Sequence, residues 1–105
     1  MNKRRVYKAE ERLIVNNRLV AEIVIDPHVD KHKDHIDDEL IISLVNLLNG
    51  RVFEAETKSD GFDYYVSKIL FDKKVYRLVW LQQEMQFYIG VITAFKDKGA
   101  DHEIP

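Results

Sequence analysis

A chain of 105 residues, 46% hydrophobic and 32% charged, has room for a single core and therefore one domain, residues 1–105. Sixteen Lys and Arg against eighteen Asp and Glu leave a net charge of −2, which excludes wholesale attraction to nucleic acid, so any anion binding has to be local. The absence of cysteine excludes a disulfide framework, a thiol nucleophile and thiolate-bound metal centres, and no segment approaches the roughly 20 apolar residues of a membrane span.

The amino-terminal stretch MNKRRVYKAEERL is charged, with no apolar run behind it, so no secretory signal is read there and a cytoplasmic location is expected. Residues 6–15 and 18–25 are strand-like runs on either side of Asn16-Asn17, a pair that tolerates positive φ, and they predict a hairpin. Asp26-Pro27 then punctuates the chain and opens a short helix or turn over residues 27–33.

The best helix covers residues 37–48. Asp37 can cap it, Asp38 and Glu39 suit its first turn, and Leu40, Ile41, Leu44, Val45, Leu47 and Leu48 recur at helical spacing before Asn49-Gly50 stops it. Residues 51–56 read as a short strand and residues 57–62, TKSDGF, as a polar loop closed by Asp60-Gly61.

Residues 64–96 predict three consecutive antiparallel strands. A turn at Phe71-Asp72-Lys73-Lys74 sets Leu70 against Val75 and Lys68 against Arg77; a second link near Gln83 to Gln86 sets Arg77 beside Ile92 and Val79 beside Gly90. One face then collects Tyr65, Ser67, Ile69, Tyr76, Leu78, Trp80, Ile89, Val91 and Thr93, which the helix should cover. The other collects Tyr64, Val66, Lys68, Leu70, Val75, Arg77, Val79, Leu81, Tyr88, Ile92 and Lys96. Residues 97–105 read as a frayed tail. The fold expected is α+β: an antiparallel sheet of about four to six strands, one main helix on one face, in the order β-β-α-β-β-β-β.

Two groups of side chains could carry chemistry. On the second face Lys68 and Arg77 form a like-charge pair that requires an anion between them. With Tyr64, Tyr88 and Lys96 beside it, that anion could be an RNA phosphate whose bases stack on the rings; the plainer alternative is an Asp or Glu of the same chain. The second group is DPHVDKHKDH, which holds three of the four histidines. On an α-helix His28, His32 and His35, at i, i+4 and i+7, would share one face as a metal-ligand set; otherwise they form a solvated loop or supply acid/base chemistry. No phosphate-binding loop, dinucleotide fingerprint or hydrolase nucleophile motif is present, and no cofactor is expected.

Asp26-Pro27, the turn Lys31-His32-Lys33-Asp34-His35, the opening Ile36-Asp37-Asp38-Glu39 and the closing run Val91-Ile92-Thr93-Ala94-Phe95-Lys96 together resemble BrnT-type toxins. These belong to the RelE-like ribonuclease toxins of bacterial toxin–antitoxin pairs. The resemblance spans residues 22–96 and implies a metal-independent endoribonuclease that uses the 2′-OH of its RNA substrate and is held inactive by an antitoxin. By that likeness His32, His35 and Arg77 are the catalytic candidates and Lys68 and Lys96 substrate-binding ones, to which the pattern of the sheet face adds Tyr64 and Tyr88. The hairpin through Val15, the single main helix and the acidic balance depart from the pattern. A non-catalytic module that binds a small protein or a second copy through the open sheet face is the competing expectation, because Val66, Leu70, Val75, Val79, Leu81 and Ile92 leave that face too apolar for water alone.

Overall fold

Among the described residues nine have positive φ, and six of the nine, five non-glycines and Gly61, sit in three two-residue turns that fold the chain back on itself. A computed structural model of the protein describes residues 3–9, 12–32, 35–99, 102 and 104, with the side chain of His32 left aside. Asn16 and Asn17 (φ 55° and 62°) join β2 (Ile14–Val15) to β3 (Arg18–Leu19), as the sequence predicts. Asp60 and Gly61 (53° and 83°) join β5 (Thr57–Ser59) to β6 (Phe62–Phe71), and Asp72 and Lys73 (52° and 66°) join β6 to β7 (Lys74–Gln83). Left-handed dihedrals at both central positions match the right-handed twist of paired strands.

The main sheet has six strands in the order β1-β4-β8-β7-β6-β5, where β1 is Arg5–Lys8, β4 is Glu22–Ile25 and β8 is Tyr88–Asp97. It is mixed, not antiparallel throughout: β4 runs parallel to β8, with Ile23 against Ile89 and Ile25 against Val91. The amino-terminal hairpin is likewise split. Its outer residues pair as β1 with β4, and its tip forms the separate β2–β3 pair. The order is therefore ββββ-α-ββββ. Residues 51–56 form no strand, and the expected loop at 57–62 is instead the β5 hairpin.

Helix α1 (Asp38–Asn46) begins where its cap chemistry requires: Asp37 is extended (φ −115°, ψ 173°) and its carboxylate accepts from the Leu40 N–H at 2.8 Å. Ile41, Leu44, Val45 and Leu48 are buried together with Ile69, Leu78, Trp80, Ile89 and Val91, so the helix covers the expected sheet face. Trp80 stacks on Tyr65 (ring centroids 4.2 Å apart), meets Phe53 edge-on, and its Nε1–H donates to buried Ser67 Oγ at 3.0 Å. Arg5 clamps three elements. Its guanidinium donates to Asp38 (2.7 and 2.9 Å) on α1 and to Asp30 (2.9 and 3.2 Å) on the 3₁₀ turn Pro27–His32, while the Tyr7 hydroxyl donates to Asp38 at 2.5 Å. Among the described residues, no helix is long and apolar enough to cross a membrane.

The meander keeps its first expected register and changes its second. Lys68 lies opposite Arg77 and Leu70 opposite Val75. Between β7 and β8 the pairing Trp80↔Val91 gives way to Val79↔Thr93, which leaves Ile92 as the extra residue of a β-bulge. One inserted residue exchanges the faces of everything beyond it. Arg77 therefore faces Phe95, while on the turn side of the bulge the pairing is slipped by two residues from the expected one, which keeps the faces, so that Leu81, not Val79, faces Gly90. Thr93 moves to the open face, and Lys96, opposite Tyr76, leaves it. The tail is not frayed throughout: β8 runs to Asp97, and Ile104 is buried as a bridge partner of Ile69.

Candidate binding face

The face of the sheet away from α1 is built by strand alternation from Val24, Leu81, Val79, Val66, Leu70 and Val75, with Phe62, Tyr64, Tyr88 and Phe95 among them, all half-buried. Helix α1, the 3₁₀ turn through Val29 and the β2–β3 hairpin through Leu13, Val15 and Val20 bury their apolar side chains in the core on the opposite side. The described elements therefore leave this face open. Near one end Gly90 forms the floor of a depression of about 180 Å³ bordered by Arg4, Asp26, Leu81, Gln83 and Tyr88. A Cβ at Gly90 would lie 2.9 Å from Leu81 Cδ1, so Leu81 packs where a side chain at this position would have to go. Tyr88 donates its hydroxyl to Gln83 at 2.8 Å, and burial raises the pKa of the phenol above its ordinary value.

At the other end Lys68 and Arg77 share one counterion, Asp97. Arg77 Nη2 donates to Asp97 Oδ2 at 3.1 Å, and Lys68 Nζ lies 3.6 Å from the same oxygen. The Gly99 N–H donates to Asp97 Oδ1 at 2.8 Å. That backbone bond first, then the charge of Lys68 and the bond from Arg77, hold the carboxyl below the usual aspartate range. The plainer of the two sequence expectations thus describes the pair. Arg77 also lies over the Phe95 ring at 5.7 Å, and its buried Nε finds no hydrogen-bond partner among the described residues.

The histidine candidates come from the segment that leads into α1. His35 is exposed in the turn just before α1, the helix that covers the core face, whereas Arg77 is on the open face. The backbone of His32 ends the 3₁₀ turn; its side chain, and residues 33 and 34, lie outside the described residues. A 3₁₀ turn has three residues per turn, so positions i and i+4 do not align and the α-helical metal face is not formed. His28 instead pairs with Asp26, Nδ1 to Oδ1 at 3.1 Å. Among the described residues no three His, Asp or Glu side chains are grouped to hold a metal.

Of the proposed substrate-binding residues, Tyr64 and Tyr88 share the open face with Lys68, and Lys96 does not. Sequence reasoning missed Asp97, Phe62, Phe95 and Gly90. Phe62 was read as loop, and Phe95 and Asp97 reach the face only because of the bulge at Ile92. No protein-family model, curated protein or solved structure matches the chain. The toxin likeness therefore rests on its short motifs alone.

Proposed function

We propose that the chain is a non-catalytic binding module whose open sheet face receives an apolar surface of another protein. One observation carries this reading: a face of half-buried aliphatic and aromatic side chains has its paired cations, Lys68 and Arg77, already neutralised by Asp97 of the same fold. Such a face offers desolvation as its main driving force, and an internally paired charge cluster contributes register more than attraction. The experiment is a photo-crosslinking side chain at Val79, in the middle of the face, with exposed Val52, in the segment after α1, as control. Covalent adducts with one protein species from position 79 and none from position 52 are expected. Equal labelling from both positions would overturn the reading.

A second reading, the toxin-type endoribonuclease, is favoured by the unpartnered Arg77 Nε and by Tyr64 and Tyr88 on the same face. Arg77 would then stabilise charge on the transferring phosphate while the rings stack unpaired bases, with His32 or His35 as acid and base. That chemistry needs a histidine brought to the open face from the helix side. Cleavage of single-stranded RNA by the purified chain, abolished in Arg77→Ala with its melting temperature little changed, is its expected signature.

A further inference from the structure

The outer edge of β6 has two strand partners, and the second comes from the far end of the chain. At its start β6 pairs with β5, and the Glu56 N–H donates to the Tyr64 carbonyl at 2.7 Å. Further on, Ile104 pairs with Ile69 as a parallel bridge: its N–H donates to the Lys68 carbonyl at 3.3 Å, and the Leu70 N–H donates to its carbonyl at 2.8 Å. The Ile104 side chain is 1% exposed and belongs to the same core cluster as Ile69. Backbone groups of Val66, Lys68 and Leu70 point outward in one row, because strand alternation has period two. Two main-chain bonds plus one buried aliphatic side chain are the recognition pattern of strand addition.

The charges around the crossing segment agree with its sequence. After β8 the chain borders an open depression of about 430 Å³ whose lining includes four lysines, Lys73, Lys74, Lys96 and Lys98, with His102 and one acid, Asp97. The sequence there reads KGADHEIP, which carries two carboxylates, Asp101 and Glu103, ahead of Ile104. Lysines at the rim and carboxylates in the segment are complementary.

We propose that the edge of β6 from Val66 to Leu70 is a strand-acceptor site for an extended, acidic peptide with one aliphatic anchor, the role that Ile104 of this chain fills in cis. The site is the edge of the sheet, not its open face, and does not depend on the binding reading above. A single bridge is a local attachment that opens without the rest of the fold, so a segment of the same chemistry on another chain competes for it.

The test uses the full chain carrying Ile104→Asp, the parent chain, and a dye-labelled synthetic peptide KGADHEIP, read by fluorescence anisotropy. The folded variant is expected to bind the peptide at least about tenfold more tightly than the parent, whose own segment competes at high effective concentration. A peptide carrying the same Ile104→Asp change is expected not to bind. Equal binding of both peptides, or none to the folded variant, would overturn the site. Amide exchange on the parent chain gives a readout that does not depend on the variant folding. The Leu70 N–H, bonded to Ile104, is expected to exchange well ahead of the Leu78 N–H in the central strand; equal protection makes Ile104 a fixed part of the core and ends the proposal.

Discussion

Asp97 decides the chemistry of the open face through a single carboxylate. Lys68 and Arg77 stand directly opposite each other, an arrangement that repels unless an anion lies between them, and Asp97 Oδ2 reaches both. Its other oxygen closes the turn at Gly99, so the residue that ends β8 also fixes the direction in which the chain leaves it. On the core side one polar pair has a comparable role. Ser67 and the indole N–H of Trp80 are both buried and satisfy each other. Ser67→Ala removes little volume but strands the Trp80 donor, and should cost about 1–3 kcal/mol, the penalty of an unsatisfied buried group. Denaturant unfolding checks this, and a cost under about 0.5 kcal/mol would mean that water reaches the indole.

Three turns of one type set the registers of the elements; those at Asn16-Asn17 and Asp72-Lys73 were legible in the sequence because their chemistry is local, whereas Asp60-Gly61 reads there only as the close of a loop. Asn16-Asn17 and Asp60-Gly61 use side chains and backbone suited to positive φ, whereas Lys73 adopts φ 66° with no such help. Lys73→Gly should therefore stabilise the protein by about 0.5–1 kcal/mol, the left-handed penalty less the extra chain entropy of glycine. A melting temperature that falls in this variant would show that the Lys73 side chain contributes contacts outweighing the strain. The helix was legible for the same local reason, since Asp37 and the spacing of Ile41, Leu44, Val45 and Leu48 need no other element to be recognised. What stayed hidden depends on partners distant in sequence. The parallel pairing of β4 with β8 joins residues more than sixty apart, and Ile104 gains a partner only when β6 presents an edge. The bulge at Ile92 is the costliest omission for the site. It carries Thr93, Phe95 and Asp97 onto the open face and Lys96 off it, and no residue type in that run marks the extra position.

At the scale of the whole molecule, three ion-paired or hydrogen-bonded aspartates tie the edges of the fold together, and they set how stability responds to acid. The Arg5 guanidinium, then the Tyr7 hydroxyl, hold Asp38 below the usual carboxylate range. The His28 backbone N–H, then its ring, do the same for Asp26, and the Gly99 N–H with Lys68 and Arg77 does so for Asp97. A folded-state pKa below the unfolded value means that the unfolded chain binds protons more readily in the interval between them. The stabilisation is therefore fully present above about pH 4, the unfolded aspartate value, and is lost as pH falls through the lower folded values. Tyr7, Tyr65 and Tyr88 shift the other way, Tyr7 chiefly through Asp38 and the other two through burial. Their contribution is present below about pH 10 and is lost as pH rises through the folded values. Melting temperature against pH should thus fall on both sides, and Asp38→Asn should lower it near neutrality while making the acid limb shallower. An acid limb of unchanged steepness in Asp38→Asn would show that the Arg5 clamp contributes nothing to acid sensitivity, and the same scan at high salt separates its partly exposed ion pairs, which screening weakens, from the backbone bonds to Asp26 and Asp97, which it does not.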